Sequence, residues 1–196
     1  FHFERYDKNI FTPVIRQQIR KATVENLGHY TVYLPAYDDD RILKHLLGFE
    51  HIQWRVFSKH NKKGLIKKNV VILPIQNELF VESIASSEGV ICGAGFETPA
   101  EALFMKKKLL VIPMKGQYEQ QCNATALEEM GVPVMKSLKK KHLHILEKWL
   151  SSEDRIEVDY PDITERILDH IFSKYTKSKS EGDLVRKWEK ELDLDA

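Results

Sequence analysis

Val90-Ile91-Cys92-Gly93-Ala94-Gly95-Phe96-Glu97-Thr98-Pro99-Ala100-Glu101 is the stretch whose reading decides the fold. Its first three residues are apolar without polar alternation, the pattern of a strand covered on both faces in a parallel sheet. Gly93-Ala94-Gly95 then makes a turn, and a helix begins around Thr98-Pro99. Proline suits the first helical position, and Thr98-x-x-Glu101 spells a capping box. A buried strand that passes through a small-residue turn into a helix is the repeating unit of α/β domains.

The same alternation continues in both directions. Short β-branched or aromatic runs occupy 30–34, 52–57, 70–73, 109–112 and 132–134. Helical periodicity predicts helices near 39–48, 77–87, 98–107, 118–130, 139–150 and 162–175. This order predicts an α/β, Rossmann-like, doubly wound and mostly parallel sheet of about six strands. Residues 58–69 are barely long enough for a parallel crossover, so an irregular connection is expected there. The predicted organisation is a lead-in and interdomain linker over 1–28, one domain over 29–176, and a second linker with an amphipathic helix over 177–196. In that last helix Leu184, Trp188 and Leu192 form one apolar stripe, expected to dock on a preceding N-terminal domain. The chain begins Phe1-His2-Phe3 without Met, and is expected to lie inside a longer protein.

Composition narrows the function classes. The 196 residues are 42% hydrophobic and 30% charged, as in soluble globular domains. Thirty Lys+Arg face 29 Asp+Glu, a formal net charge of +1. That is not the surplus that nonspecific nucleic-acid binding requires. Cys92 and Cys122 alone build neither a disulfide framework nor a four-cysteine zinc site, and reduced thiols in the cytoplasm are expected. No apolar run reaches transmembrane length.

The glycine turn sits where ligands bind in open α/β sheets, outside the carboxyl end of a strand. Glycine permits positive φ and close backbone approach, and a helix N-terminus attracts anions. The dinucleotide fingerprint is absent, because Thr98 stands where its third glycine would be, and no P-loop lysine follows. Glu101 has two readings: partner in the capping box, or carboxylate acceptor for a ribose diol. Glu119-Gln120 likewise either reads sugar hydroxyls or simply opens a solvated helix. Asp38-Asp39-Asp40 reads as a helix cap rather than a metal site. His142 and His144, at i and i+2, do not share a helix face. Lys106-Lys107-Lys108 and Lys139-Lys140-Lys141 read as solvated charge, the alternative being contact with anionic lipid headgroups and peripheral membrane association. Cys92 reads as a small buried hydrophobe, and Trp54 and Trp149 as packing residues.

Taken together, strand, small-residue turn, Glu101 in the following helix, strand ending in Pro113, and Glu119-Gln120-Gln121-Cys122-Asn123-Ala124 resemble the C-terminal, donor-binding half of GT-B glycosyltransferases. The pattern is similar to the family 28 C-terminal domain and to UDP-glycosyltransferases. Thr12-Pro13-Val14-Ile15-Arg16 resembles their interdomain linker. The resemblance implies that Gly93, Ala94, Gly95, Phe96 and Thr98 cradle the donor diphosphate and that Glu101 binds the ribose. It implies further that Glu119 and Gln120 contact the donor sugar, while Pro74, Ile75 and Gln76 flank the base. It implies transfer of a hexosyl group from a nucleotide sugar, UDP-sugar first, to an acceptor hydroxyl, with no cofactor or metal. The catalytic base is expected in an N-terminal domain, which is the second expected partner. A nucleotide-sugar 2-epimerase and a non-catalytic nucleotide-binding module are the alternatives. Glu97 falls inside the implied phosphate turn, where a carboxylate repels a diphosphate unless it points away.

Overall fold

The computed structural model describes residues 10–175, so the Leu184-Trp188-Leu192 stripe lies outside the described residues. The chain divides into two compact units after Tyr160. The first unit holds the whole sheet. The second contains, within the described residues, one helix at Thr164–Tyr175.

In the first unit the order is α1 (Gln17–Arg20), β1 (His29–Tyr33), α2 (Asp39–Leu46), β2 (Gln53–Ser58), β3 (Leu65–Lys67), β4 (Val70–Pro74), α3 (Asn77–Ser86), β5 (Gly89–Cys92), α4 (Glu97–Phe104), β6 (Lys108–Val111), α5 (Tyr118–Glu129), a 3-10 turn (Lys140–His142) and α6 (Leu143–Ser151). The helix at Thr164–Tyr175 is α7. The six strands lie in the order β3-β4-β2-β1-β5-β6. All neighbours are parallel except β3 and β4. The expected mostly parallel, doubly wound sheet is present.

Alternation along the strands distributes side chains to two cores. On β5 and β6, Val90, Cys92, Leu109 and Val111 join Ile84, Leu103 and Leu127 from α3, α4 and α5 on one face. Ile91 and Leu110 join Ile42, Leu46, Leu146 and Trp149 from α2 and α6 on the other. Both faces are thus covered, which is why these strands carry no polar alternation. Cys92 is fully buried, and burial pushes its thiol pKa far up. Trp54 and Trp149 are core residues, as the sequence suggested.

Three expectations need correction. The sixth strand is not 132–134, which contributes only a bridge from Val134 to Val111. It is β3, a hairpin return inside the awkward 58–69 connection, with Lys68 in the left-handed region at φ 52. The lysine run 106–108 is not solvated throughout: Lys107 and Lys108 are 4% and 2% exposed. Their aliphatic stems are buried while the ammonium tips meet backbone carbonyls. Lys107 Nζ donates to Glu25 O and Ser87 O at 2.6 and 2.8 Å, and Lys108 Nζ to Leu150 O at 3.2 Å. The predicted helices, finally, begin at 39, whereas α1 forms within the lead-in and buries Ile19.

The site position follows from strand order. The chain builds outward from β1 through β2 to β4, then returns to place β5 on the other side of β1. The order reverses between β1 and β5, and the crevice beyond their carboxyl ends is the topological switch point. Tyr33 and Cys92 pair at that end.

Candidate functional site

The turn 93–96 leaves β5 at the switch point. Neither Gly93 nor Gly95 is among the glycines with positive φ, so conformational freedom is not why glycine stands there. At Gly93 a Cβ would lie 3.3 Å from Gln120 Oε1, so the end of the Gln120 side chain would have to give by a few tenths of an ångström. At Gly95 a Cβ would meet nothing within 4 Å, so the backbone there is open to close approach. Helix α4 begins at Glu97, with Phe96 at the capping position, where its side chain makes no capping hydrogen bond. The expected capping box does not form. Thr98 is already inside the helix, and Glu101 is engaged elsewhere. Glu97 is exposed in the first turn.

Glu101 is 3% exposed and bound bidentately by Arg16. Arg16 Nε donates to Oε1 at 2.6 Å and Nη2 to Oε2 at 2.9 Å. Fork-to-fork pairing of this kind is the strongest geometry available to a carboxylate. The hydrogen bond to Glu101 raises the Arg16 pKa above its ordinary value against partial desolvation, with the charges of Glu101 and Glu97 adding to it. Arg16 Nη1 also donates to Asn77 Oδ1 at 2.9 Å, and Asn77 Nδ2 donates to Gln18 Oε1 at 2.6 Å. The linker-like Thr12-Pro13-Val14-Ile15-Arg16 therefore ties the start of α4 to the start of α3. Pro74, Ile75 and Gln76 end β4 and lead into α3, with Ile75 45% exposed.

The segment opening α5 bends back over the turn. Gln120 Oε1 accepts from Met114 N at 2.9 Å, and Gln121 Nε2 donates to Met114 O at 3.1 Å. Asn123 Nδ2 donates to Ala94 O at 3.1 Å, fixing the glycine turn from the neighbouring connection. Glu119 is exposed and opens the helix. A narrow cleft of about 20 Å³ runs between Pro35, Ala36, Gly93, Met114 and Gln120. Asp38 caps α2 by accepting from Arg41 N at 2.8 Å, as the sequence suggested.

The structure thus brings Gly93 and Gln120 together, and links Glu101 to the Gln76–Asn77 corner through Arg16. Sequence reasoning missed the roles of Arg16, Asn77 and Asn123. Asn123 lay inside the quoted motif, and Arg16 inside the quoted linker, so both signals were in view without their partners.

A switch-point glycine turn on a doubly wound sheet, closed by residues from the next connection, is the architecture of a GT-B glycosyltransferase domain. The description "Glycosyl transferase family 1" matches residues 3–152, and the chain belongs to that family. Among solved structures, the glycotransferase of kitacinnamycin shares the fold at a TM-score of 0.53 and 14% identity, over 83% of this chain and 45% of that one. SnogD from Streptomyces nogalater (12% identity, TM-score 0.46, 81% of this chain and 45% of that one) superposes less well. So does UGT89C1 from Arabidopsis thaliana (14%, 0.47, 93% and 48%), and the fold assignment rests on the first structure alone. The chain spans a little under half the length of each of these structures. No curated protein sequence matches it. Among the described residues, no helix is long and apolar enough to cross a membrane.

Proposed function

We propose that this chain is the nucleotide-sugar-binding half of a glycosyltransferase that moves a hexosyl group from a UDP-sugar to an acceptor hydroxyl. The observation that carries this reading is the open backbone at Gly95 beside the start of α4, at the switch point of the sheet. In this reading N–H groups of the turn, with the Thr98 hydroxyl, take the donor diphosphate. As the sugar departs the diphosphate gains charge, and preorganised donors with the helix dipole oppose that charge without reorganisation. Gln120 and Glu119 face the sugar, and Pro74, Ile75 and Gln76 flank the base.

Glu101 takes the ribose diol. Each of its oxygens accepts from Arg16 and retains a further acceptor site. The side chain is only 4% exposed, whereas that of Arg16 is 42% exposed. Arg16 accordingly holds the carboxylate in place, with Nε on one oxygen and Nη2 on the other. The acceptor lobe and the catalytic base belong to an N-terminal domain, and the reaction needs no metal.

Calorimetric titration of UDP, with ADP as the control nucleotide, tests the reading. Glu101→Gln is expected to weaken UDP by about 1–3 kcal/mol, the cost of mispaired hydrogen bonds to a diol. Equal UDP affinity in a folded variant would remove Glu101 from the site.

A further inference from the structure

A cavity of about 970 Å³ in the first unit does not include the glycine turn. It opens at the same carboxyl edge of the sheet, between the connections that follow β1, β2 and β6. Six basic side chains line it: Arg41, Lys59, Lys115, Lys136, Lys139 and Lys141. Asp38 is the single carboxylate on its wall, and its Oδ1 is already the α2 cap. In a chain of 30 basic and 29 acidic residues, this segregation is not imposed by composition.

None of the six cations is ion-paired among the described residues. Arg41 is held against the wall, donating from Nε and Nη2 to Leu138 O at 3.4 and 3.3 Å and stacking 4.8 Å from the Tyr37 ring centre. Its fork has further donors to offer. His142 also lines the cavity, and slight desolvation, then the charges of Lys141, His144, Lys136 and Lys139, lower its basicity. Converging like charges repel one another, and a compact polyanion in a concave site relieves that repulsion.

We propose that this cavity is a second anion site, distinct from the donor cradle, that takes the phosphate or diphosphate group of a phosphorylated ligand. The site is a pocket rather than a flat face, which suits a compact headgroup or ester. Pro35, Ala36, Tyr37 and Met114 are shared with the cleft that reaches Gly93 and Gln120. That shared wall places the ligand beside the donor sugar, on the acceptor side. This placement rests on the reading above, whereas the anion site itself does not.

Inorganic pyrophosphate titrated into the isotope-labelled 196-residue chain tests the proposal. Saturable amide shifts are expected at 59–60 and 136–142. The exposed pair Lys136→Gln and Lys141→Gln, combined, should weaken binding about tenfold or more through two lost charge-assisted contacts. Lys67→Gln, an exposed charge on β3 that does not line the cavity, should leave it unchanged. Phosphatidylcholine vesicles doped with phosphatidic acid form the second arm: capture lost in the double variant assigns a lipid-borne phosphate, and pyrophosphate binding without capture assigns a soluble one. Absent shifts, an unweakened double variant, or sulfate binding as tightly as pyrophosphate would overturn the site. If pyrophosphate binds there and UDP binds nowhere, the donor reading falls and the anion site stands.

Discussion

Arg16 Nε and Nη2 grip both carboxylate oxygens of Glu101 across 85 residues of sequence, at 2.6 and 2.9 Å. The pair ties the lead-in segment to the first turns of α4, and through Asn77 to α3. Its two ends differ in exposure, and the cost of breaking it should differ accordingly. Arg16→Ala strands a buried carboxylate. It is expected to lower stability by about 1–3 kcal/mol, since the partly solvated arginine limits what is lost. Glu101→Gln keeps shape and burial and leaves the charge on the more exposed partner, so a loss below about 1 kcal/mol is expected. Urea denaturation of both variants checks the order, and a larger loss in Glu101→Gln would contradict it.

Two glycines should separate folding from binding. A Cβ on Gly89 would lie 2.9 Å from Lys108 Cβ and 3.0 Å from both Lys108 O and Trp149 Cζ2. Gly89→Ala is expected to cost about 1–3 kcal/mol by overpacking. Gly95→Ala meets no protein atom and should change stability by no more than about 0.5 kcal/mol. It should nevertheless weaken UDP if the backbone there touches the diphosphate. Melting curves and UDP titrations on the two variants give the comparison.

His29 links stability to pH. It is 4% exposed on β1, with Nε2–H donating to Ser83 O at 3.1 Å and a buried Nδ1 without a partner among the described residues. Burial, then the charge of Arg55, lowers its pKa to about 4. The unfolded imidazole protonates near its ordinary 6.5, so between 6.5 and about 4 the unfolded chain binds the extra proton. Stability is therefore whole above 6.5 and falls as pH drops through that window. His29→Gln can still donate to Ser83 O and should flatten this part of the profile. Identical slopes for both proteins in urea midpoints would contradict the assignment.

Lys108 is expected to tolerate loss of charge but not reversal. Its Nζ lies 5.3 Å from the Trp149 ring centre and 5.7 Å from that of Tyr30, besides bonding Leu150 O. Lys108→Met retains the packed stem and forfeits about 1 kcal/mol. Lys108→Glu buries an acid against a carbonyl and should unfold a large fraction of the protein. Near-ultraviolet circular dichroism of the tryptophans reports both outcomes.

The central βα units were legible in the sequence because their signals are local. Val90-Ile91-Cys92 has no polar alternation since both its faces are covered, and the glycine turn announces the strand's end. What escaped the reading depends on distant partners. Thr98-x-x-Glu101 satisfies the spacing of a capping box, yet Glu101 is drawn to Arg16, which no window around α4 contains. Lys107 and Lys108 carry the residue type of a solvated face. Only the placement of carbonyls from the lead-in and from the ends of α3 and α6 lets their tips be satisfied while their stems are buried. Strand β3 is too short and too exposed to show a buried period: Leu65 and Ile66 are 44% and 75% exposed. The basic cavity was invisible for a related reason, because its cations come from separated stretches around 41, 59, 115 and 136–141 and the net charge averages them away.

The most direct test of the account is where UDP lands on the chain. Amide shifts recorded during a UDP titration should saturate together at 75–76, 93–98 and 101, and should be abolished by Gly95→Val in a protein that melts like the wild type. UDP-dependent shifts confined to other surfaces, or no saturable shift at all in the folded chain, would contradict a donor site at the switch point.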